Sequence, residues 1–424
     1  MRRRFLIFSL VLVIVACLVF VVACDKKVEV TPPDKTIVFL GDSIAEALIG
    51  PSPLSERDNY GYYALLGRAN NFRYFNHSVS GHKTSGDMLG NEDGGFLGLL
   101  KEVKENGESS TLMKTHIQQA DIIHISILGN NLLQYDLGLL MLEVADPSFP
   151  EKYDNGSKSG TTLINYLHNG GKTERTSLDV DENGNHRKIK FNFPNTYQNI
   201  CDIVDILREW NPSATIFFQK VYNPVVGGSK FLYPELLSAL ADIEDDGRFG
   251  AEGMPIATIE QVRAVAQELL NCLNGILDEY LAANPGSINI IDANKAFDDY
   301  AKTDVRDGKP YYGTLTDTEG TCKGADLFFS DWTHPSNIGH AVLAATTQKA
   351  FEEKGFAAAN AVDVYKQIKI EQVNRMYNGQ MSKDGNNTAF DTNGAVASIN
   401  AATTFQGVTD AYFDAIRGYQ PKYC

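Results

Sequence analysis

The chain has 424 residues, of which 43% are hydrophobic, so it can bury a sizeable core and is ordinary globular material in composition. Its 38 basic against 53 acidic residues leave a net charge of −15, which argues against a nucleic-acid partner and against a basic patch for anionic lipid. Six cysteines are spread without metal-ligand spacing.

At the N-terminus, "MRRRFLIFSLVLVIVACLVFVVAC" runs from three arginines through an unbroken apolar stretch to Cys24, with the n-region and h-region of an export signal. "VVAC" before the polar "DKKVE" resembles the lipobox of bacterial lipoproteins. That resemblance implies a signal peptide over 1–24, lipidation of Cys24, a lipid anchor in the cell membrane and an extracytoplasmic mature chain; an uncleaved anchor helix is the other reading. Residues 25–35 read as a polar tether. From there, strand and helix patterns alternate. Candidate strands are "KTIVFLG" (35–41), "FRYFNHS" (72–78), "ADIIHISILG" (120–129), "SATIFFQKVY" (213–222) and "GSINIIDAN" (286–294), with long amphipathic helices before the last two. Apolar strands separated by helices predict an α/β fold, a parallel sheet covered on both faces, with chemistry at the strands' carboxyl ends.

Two stretches interrupt the alternation, 134–195 and 223–257, and read as insertions. Within the first, "DVDENGNHRKIKF" begins like a calcium loop, but Lys190 stands where a glutamate is needed, and a β-hairpin turning at Asn183-Gly184 is the better reading. Residues 355–424 form a C-terminal helical extension beyond a main domain over 36–354. Cys201, Cys272, Cys322 and Cys424 could pair outside the cytoplasm, and spacing does not say how.

Two motifs bear on chemistry. "FLGDSIAEAL" puts Ser43 just past the first strand, at the start of a helix, where serine is either a nucleophile or merely an N-cap. Near the other end, "SDWTHPSNIGHAVLA" sets Asp331 and His334 on a loop that Pro335 keeps out of the following helix. A carboxylate there can fold back onto imidazole Nδ1 and leave Nε2 to face a serine. Neither carries the argument alone; their order and their places along the sheet-forming region do.

"FLGDSIAEA" resembles the first block of the SGNH, or GDSL-type, hydrolases. "NHSVSGHKTSGDML" is similar to the second block, "DIIHISILGNNLL" to the third, and "DWTHPSNIGH" to the fifth. The resemblance covers roughly residues 36–350. It implies a flavodoxin-like three-layer α/β/α fold with a five-stranded parallel sheet. It makes Ser43 the nucleophile, His334 the base and Asp331 its orienting acid. Asp42 becomes a structural member of the first block. The oxyanion hole is formed by the amides of Ser43 and Gly81 and the side chain of Asn130, or of Asn131 if Gly129 is the third block's glycine. Leu128 replaces the family's glycine and Asn131 its aspartate, which is expected to reshape the pocket beside the hole. His77, His82, His124 and His340 read as structural.

The expected activity is ester hydrolysis by a monomeric serine esterase acting on a small-molecule, glycan or lipid ester, with short acyl or acetyl groups favoured and no cofactor or metal. The alternative is a catalytically degenerate lipoprotein that binds a glycan or lipid.

Overall fold

The computed structural model describes residues 33–48, 57–86, 94–106, 111–133, 167–180, 186–231, 259–314, 321–329 and 333–419. The signal, Cys24, the tether up to residue 32, Asp331, most of the two insertions and Cys424 lie outside them.

Seven strands organise the chain: β1 (Lys35–Gly41), β2 (Phe72–Asn76), β3 (Ile122–Ser126), β4 (Gly171–Val180), β5 (His186–Phe193), β6 (Thr215–Gln219) and β7 (Asn289–Ile291). Five make one all-parallel sheet in the order β2-β1-β3-β6-β7, the flavodoxin-like arrangement. Ile and Phe dominate the central strands because both faces are covered, and every residue of β3 is buried. β4 and β5 pair antiparallel, as the hairpin reading requires; Asn183 and Gly184, where it expects the turn, are outside the described residues.

Nine helices bear on the site: α1 (Ser43–Glu46), α2 (Tyr62–Ala69), α3 (Gly129–Leu133), α4 (Thr196–Trp210), α5 (Ile259–Ala283), α6 (Asn337–Glu353), α7 (Ala361–Gln372), α8 (Thr392–Ala401) and α9 (Phe405–Ile416). α2 packs against α6 and α7; α4 packs against α5 and against the helices Gly95–Asn106 and Thr111–Gln118. These two groups are the outer layers of a three-layer α/β/α sandwich, and Leu65, Phe217, Leu273 and Phe351 are fully or almost fully buried between layers. None of the described helices is long and apolar enough to cross a membrane.

α6 carries a dense apolar face with a polar start. Ser336 caps it, accepting from the Ile338 and Gly339 amides at 3.1 and 3.2 Å. α7 to α9 follow without leaving the main unit: Tyr365 stacks on Phe405 at 3.6 Å between ring centres, and Tyr412 is fully buried. Among the described residues Cys201, Cys272 and Cys322 are thiols.

Candidate active site

β1 ends at Gly41 in a conformation (φ +140°) that side chains avoid, and a Cβ there would lie 1.8 Å from the Ser126 carbonyl oxygen. Only glycine lets β1 end flush against β3. The next amide, Asp42 N–H, donates to that same Ser126 oxygen at 2.9 Å, which turns the chain out of the sheet and into α1.

Asp42, not Ser43, caps the helix. Its Oδ1 accepts from the Ile44 amide at 3.0 Å, a cap worth about 1 kcal/mol. Ser43 is therefore the first helical residue, and its side chain is not spent on capping. It is only 7% exposed, at the carboxyl end of the central strand pair. The other carboxylate oxygen of Asp42, Oδ2, is buried with no hydrogen-bond partner. Burial pushes this carboxyl up to about 7; the Ile44 amide and then electrostatic interaction with His334 work in the opposite direction. Gly129 borders this carboxyl: a Cβ on it would meet Oδ2 at 3.4 Å, an ordinary van der Waals contact.

The His334 loop is fixed from three sides. Phe329 N–H donates to the His334 carbonyl at 3.1 Å, Ser336 N–H to the Leu327 carbonyl at 2.8 Å, and the Tyr222 hydroxyl to the Thr333 carbonyl at 2.7 Å. Phe328 and Pro335 close the loop with an antiparallel bridge. Thr333, the residue before His334, lines the same small cavity as Ile44 and Gly129, so the second motif's loop borders the start of α1. Asp331 is outside the described residues.

The segment after β2 runs beside the end of β1: His77 N–H donates to the Phe39 carbonyl and Val79 N–H to the Gly41 carbonyl, both at 2.9 Å. Gly81 follows at φ +81°, a left-handed position that favours glycine. Two side chains hold this loop. Asn130 donates from Nδ2 to the His82 carbonyl at 2.9 Å, and Glu46, from α1 itself, accepts from the Ser80 amide at 2.8 Å while pairing with Arg57 at 2.6 Å.

Asn131 is used differently. It is fully buried, accepts from the Thr84 amide, and donates to the Thr84 and Thr196 hydroxyls, all at 2.9 Å. Asn199 of α4 joins the network through Thr84 and Ser85. Both amide hydrogens of Asn131 are consumed in stitching α3, the Gly81 loop and α4 together, whereas Asn130 uses one. Leu128 turns into the core, 1% exposed, and it is Gly129 that borders the open space beside the site.

Behind Asp42 stands a buried aromatic column. Tyr62 lies between His124 (3.4 Å from its hydroxyl to Nδ1) and His340, which stacks on its ring. Desolvation holds both histidines at about 3, neutral and structural. His77 meets His116 at 2.9 Å and is pulled down to about 4 by burial and by His116. Among the described residues no group of three or more His, Cys, Asp or Glu is disposed to hold a metal ion.

Sequence reading missed Glu46 and the Thr84–Asn131–Thr196–Asn199 network. The one available signal for Glu46 was its place in the first turn after Ser43; nothing local marks Thr84 or Asn199.

No family model and no curated protein matches the chain. Among solved structures, it is similar to a lipase from a goat rumen metagenome (14% identity, 74% of this chain and 97% of that one, TM-score 0.37). It is similar likewise to an extracellular lipase from Streptomyces rimosus (15%, 74% and 99%, TM-score 0.38). A third is a lipolytic protein of the G-D-S-L family from Veillonella parvula (12%, 75% and 98%, TM-score 0.33).

Proposed function

We propose that this chain is a serine ester hydrolase of the SGNH type, anchored through lipidated Cys24 outside the cytoplasmic membrane and acting as a monomer. One observation supports the reading: the Gly81 loop is held by Glu46 of α1 and by Asn130, and Thr333, next to His334, lines one cavity with Ile44 and Gly129.

The chemistry follows from these groups. His334 takes the proton from the Ser43 hydroxyl as its oxygen attacks the ester carbonyl carbon. The negative oxygen that forms is held by the Ser43 and Gly81 amides and the second N–H of Asn130. Ser43 is at a helix N-terminus, so its amide points outward with no partner inside the helix. Asp331 holds the imidazole in the tautomer that accepts at Nε2. His334 then passes its proton to the departing alcohol, and in the second half it deprotonates the water that hydrolyses the acyl-serine. Asp42 supports the arrangement from below: it caps α1 and sets an ionisable carboxyl behind the imidazole.

The binding-module alternative drew on Leu128 and Asn131. In this fold both departures have structural employment, one in the core and one in the network that carries the Gly81 loop, so neither speaks for loss of chemistry. The test is a fluorophosphonate probe and p-nitrophenyl acetate with the full chain in detergent, beside Ser43→Ala. Labelling and turnover that vanish in a folded Ser43→Ala protein establish the esterase. A folded wild-type protein that is neither labelled nor active overturns it in favour of the binder.

A further inference from the structure

A small apolar cavity opens beside the proposed nucleophile, and its rim is made of the sequence neighbours of the catalytic set. Ile44 follows Ser43, Gly129 precedes Asn130, and Thr333 precedes His334. Leu132 of α3 and Leu269 and Leu270 of α5 form its wall. Its volume is about 40 Å³, against about 150 Å³ for an apolar cavity that admits benzene and about 30 Å³ for one water's share of the liquid.

The interior is without free hydrogen-bonding groups on its aromatic side: Tyr222 borders it, but its hydroxyl is committed to the Thr333 carbonyl at 2.7 Å. A sugar or glycerol hydroxyl placed against its aliphatic wall would lose hydrogen bonds to water with little to replace them. The carbon-only half of an ester suffers no such loss. The cavity therefore suits the acyl side, with the alcohol facing the solvent by which it leaves.

The wall is also rigid. Asn274 of α5 accepts from the Val221 amide at 2.8 Å and donates to the Val221 carbonyl at 2.9 Å; Asn294 donates to that carbonyl at 3.0 Å. Val221 lines the cavity between these anchors, which tie α5 and Asn294 to the segment after β6. Leu269 and Leu270 are themselves 3% and 7% exposed and held in the core.

Resting on the assignment of Ser43 as nucleophile, we infer that Leu269 and Leu270 set an acyl-length ceiling, so that the substrates are esters of short acyl groups, acetyl to butyryl. The experiment is kcat/KM of the full chain in detergent on p-nitrophenyl esters from acetate to octanoate, for wild type, Leu269→Ala, Leu270→Ala and the filling variant Ala266→Val. Wild type should prefer acetate to butyrate and fall at least about tenfold by octanoate, the scale on which a pocket discriminates methylene groups. Either alanine variant should move the optimum to hexanoate or octanoate, and Ala266→Val should lose butyrate before acetate. Wild-type rates that climb steadily to octanoate overturn the ceiling, as does a folded alanine variant whose profile is unchanged. If the alanine variants do not fold, the wild-type profile and Ala266→Val decide. Absence of any Ser43-dependent turnover or fluorophosphonate labelling is instead failure of the esterase assignment, so the two failures are separable.

Discussion

Asn337 donates from Nδ2 to the Tyr377 hydroxyl at 2.8 Å, and so ties the helix that follows His334 to the C-terminal extension. The Tyr412 hydroxyl accepts from the same amide at 3.3 Å, and both tyrosines are buried. Nearby, Arg417 pairs with Asp326 at 3.3 Å, and the Asp326 carbonyl accepts from Ser336, the cap of α6. The extension thus grips both sides of the His334 loop. Asn337→Ala should cost about 1–3 kcal/mol, because it takes a buried amide donor from two buried hydroxyls, and should lower kcat several-fold with KM little changed. Tyr377→Phe should cost about 1 kcal/mol. Thermal melting and esterase kinetics check both; an Asn337→Ala enzyme with lowered melting temperature and wild-type kcat would confine the extension to a role in stability.

Glu46 links the helix of the proposed nucleophile to the Gly81 loop through the Ser80 amide, and so helps to set the two proposed oxyanion amides relative to one another. Glu46→Ala should reduce kcat by about tenfold, less than the 10²–10³ lost when an oxyanion donor is removed outright. KM should hold, since both Glu46 oxygens are engaged by Ser80 and Arg57. Arg57→Met, which removes only the partner of Glu46, should give a smaller loss in the same direction.

Asn130 and Asn131, adjacent in sequence, should separate cleanly by assay. Asn130→Ala should lower kcat by about 10²–10³ at a stability cost of only about 1 kcal/mol, for the one bond to the His82 carbonyl. Asn131→Ala strips three hydrogen bonds from a buried network and should cost about 2–4 kcal/mol. Kinetics beside urea unfolding measures both. The reverse pattern would assign the oxyanion role to Asn131.

How far the sequence anticipates this site depends on the reach of each interaction. The five parallel strands are visible because burial on both faces writes itself as short apolar runs; Ile122–Ser126 lies inside the stretch read from "ADIIHISILG". Chain ends of strands are less visible. "FRYFNHS" suggests seven residues, yet β2 stops at Asn76, where the side chain leaves the sheet to serve the Ala45 carbonyl and the Ser78 amide. Capping shows the same limit: Asp42 and Ser43 are both good caps, and only the Ser126–Asp42 bond in β3 decides which one turns. Asn131 and Asn337 lie furthest from sequence reading, since their partners Thr196 and Tyr377 are 65 and 40 residues away. A polar residue does not announce a partner at that distance.

Buried groups of opposite tendency contribute to the response to acid. His124 and His340 are held near 3 by desolvation, against an ordinary value of 6.5, and the charges of His334 and Lys369 add to the effect on His340. The folded protein keeps both neutral while the unfolded chain protonates them as pH falls through 6.5. Asp42 runs the other way: folded near 7 and ordinarily 3.8, it holds a proton that the unfolded chain lacks between those values. Between pH 3.8 and 6.5 the unfolded chain thus gains two protons on the histidines and the folded chain keeps one on Asp42, a net difference of one. Stability should fall on acidification through that window by about 1.4 kcal/mol per pH unit, and His77, lowered to about 4, adds in the same sense. Replacing His124 and His340 together by phenylalanine should flatten the slope, as Asp42 then opposes His77 alone. Urea midpoints at half-unit pH steps, for wild type and the double variant, measure it. A double variant that loses stability toward acid as steeply as wild type would show that the lability resides in other groups.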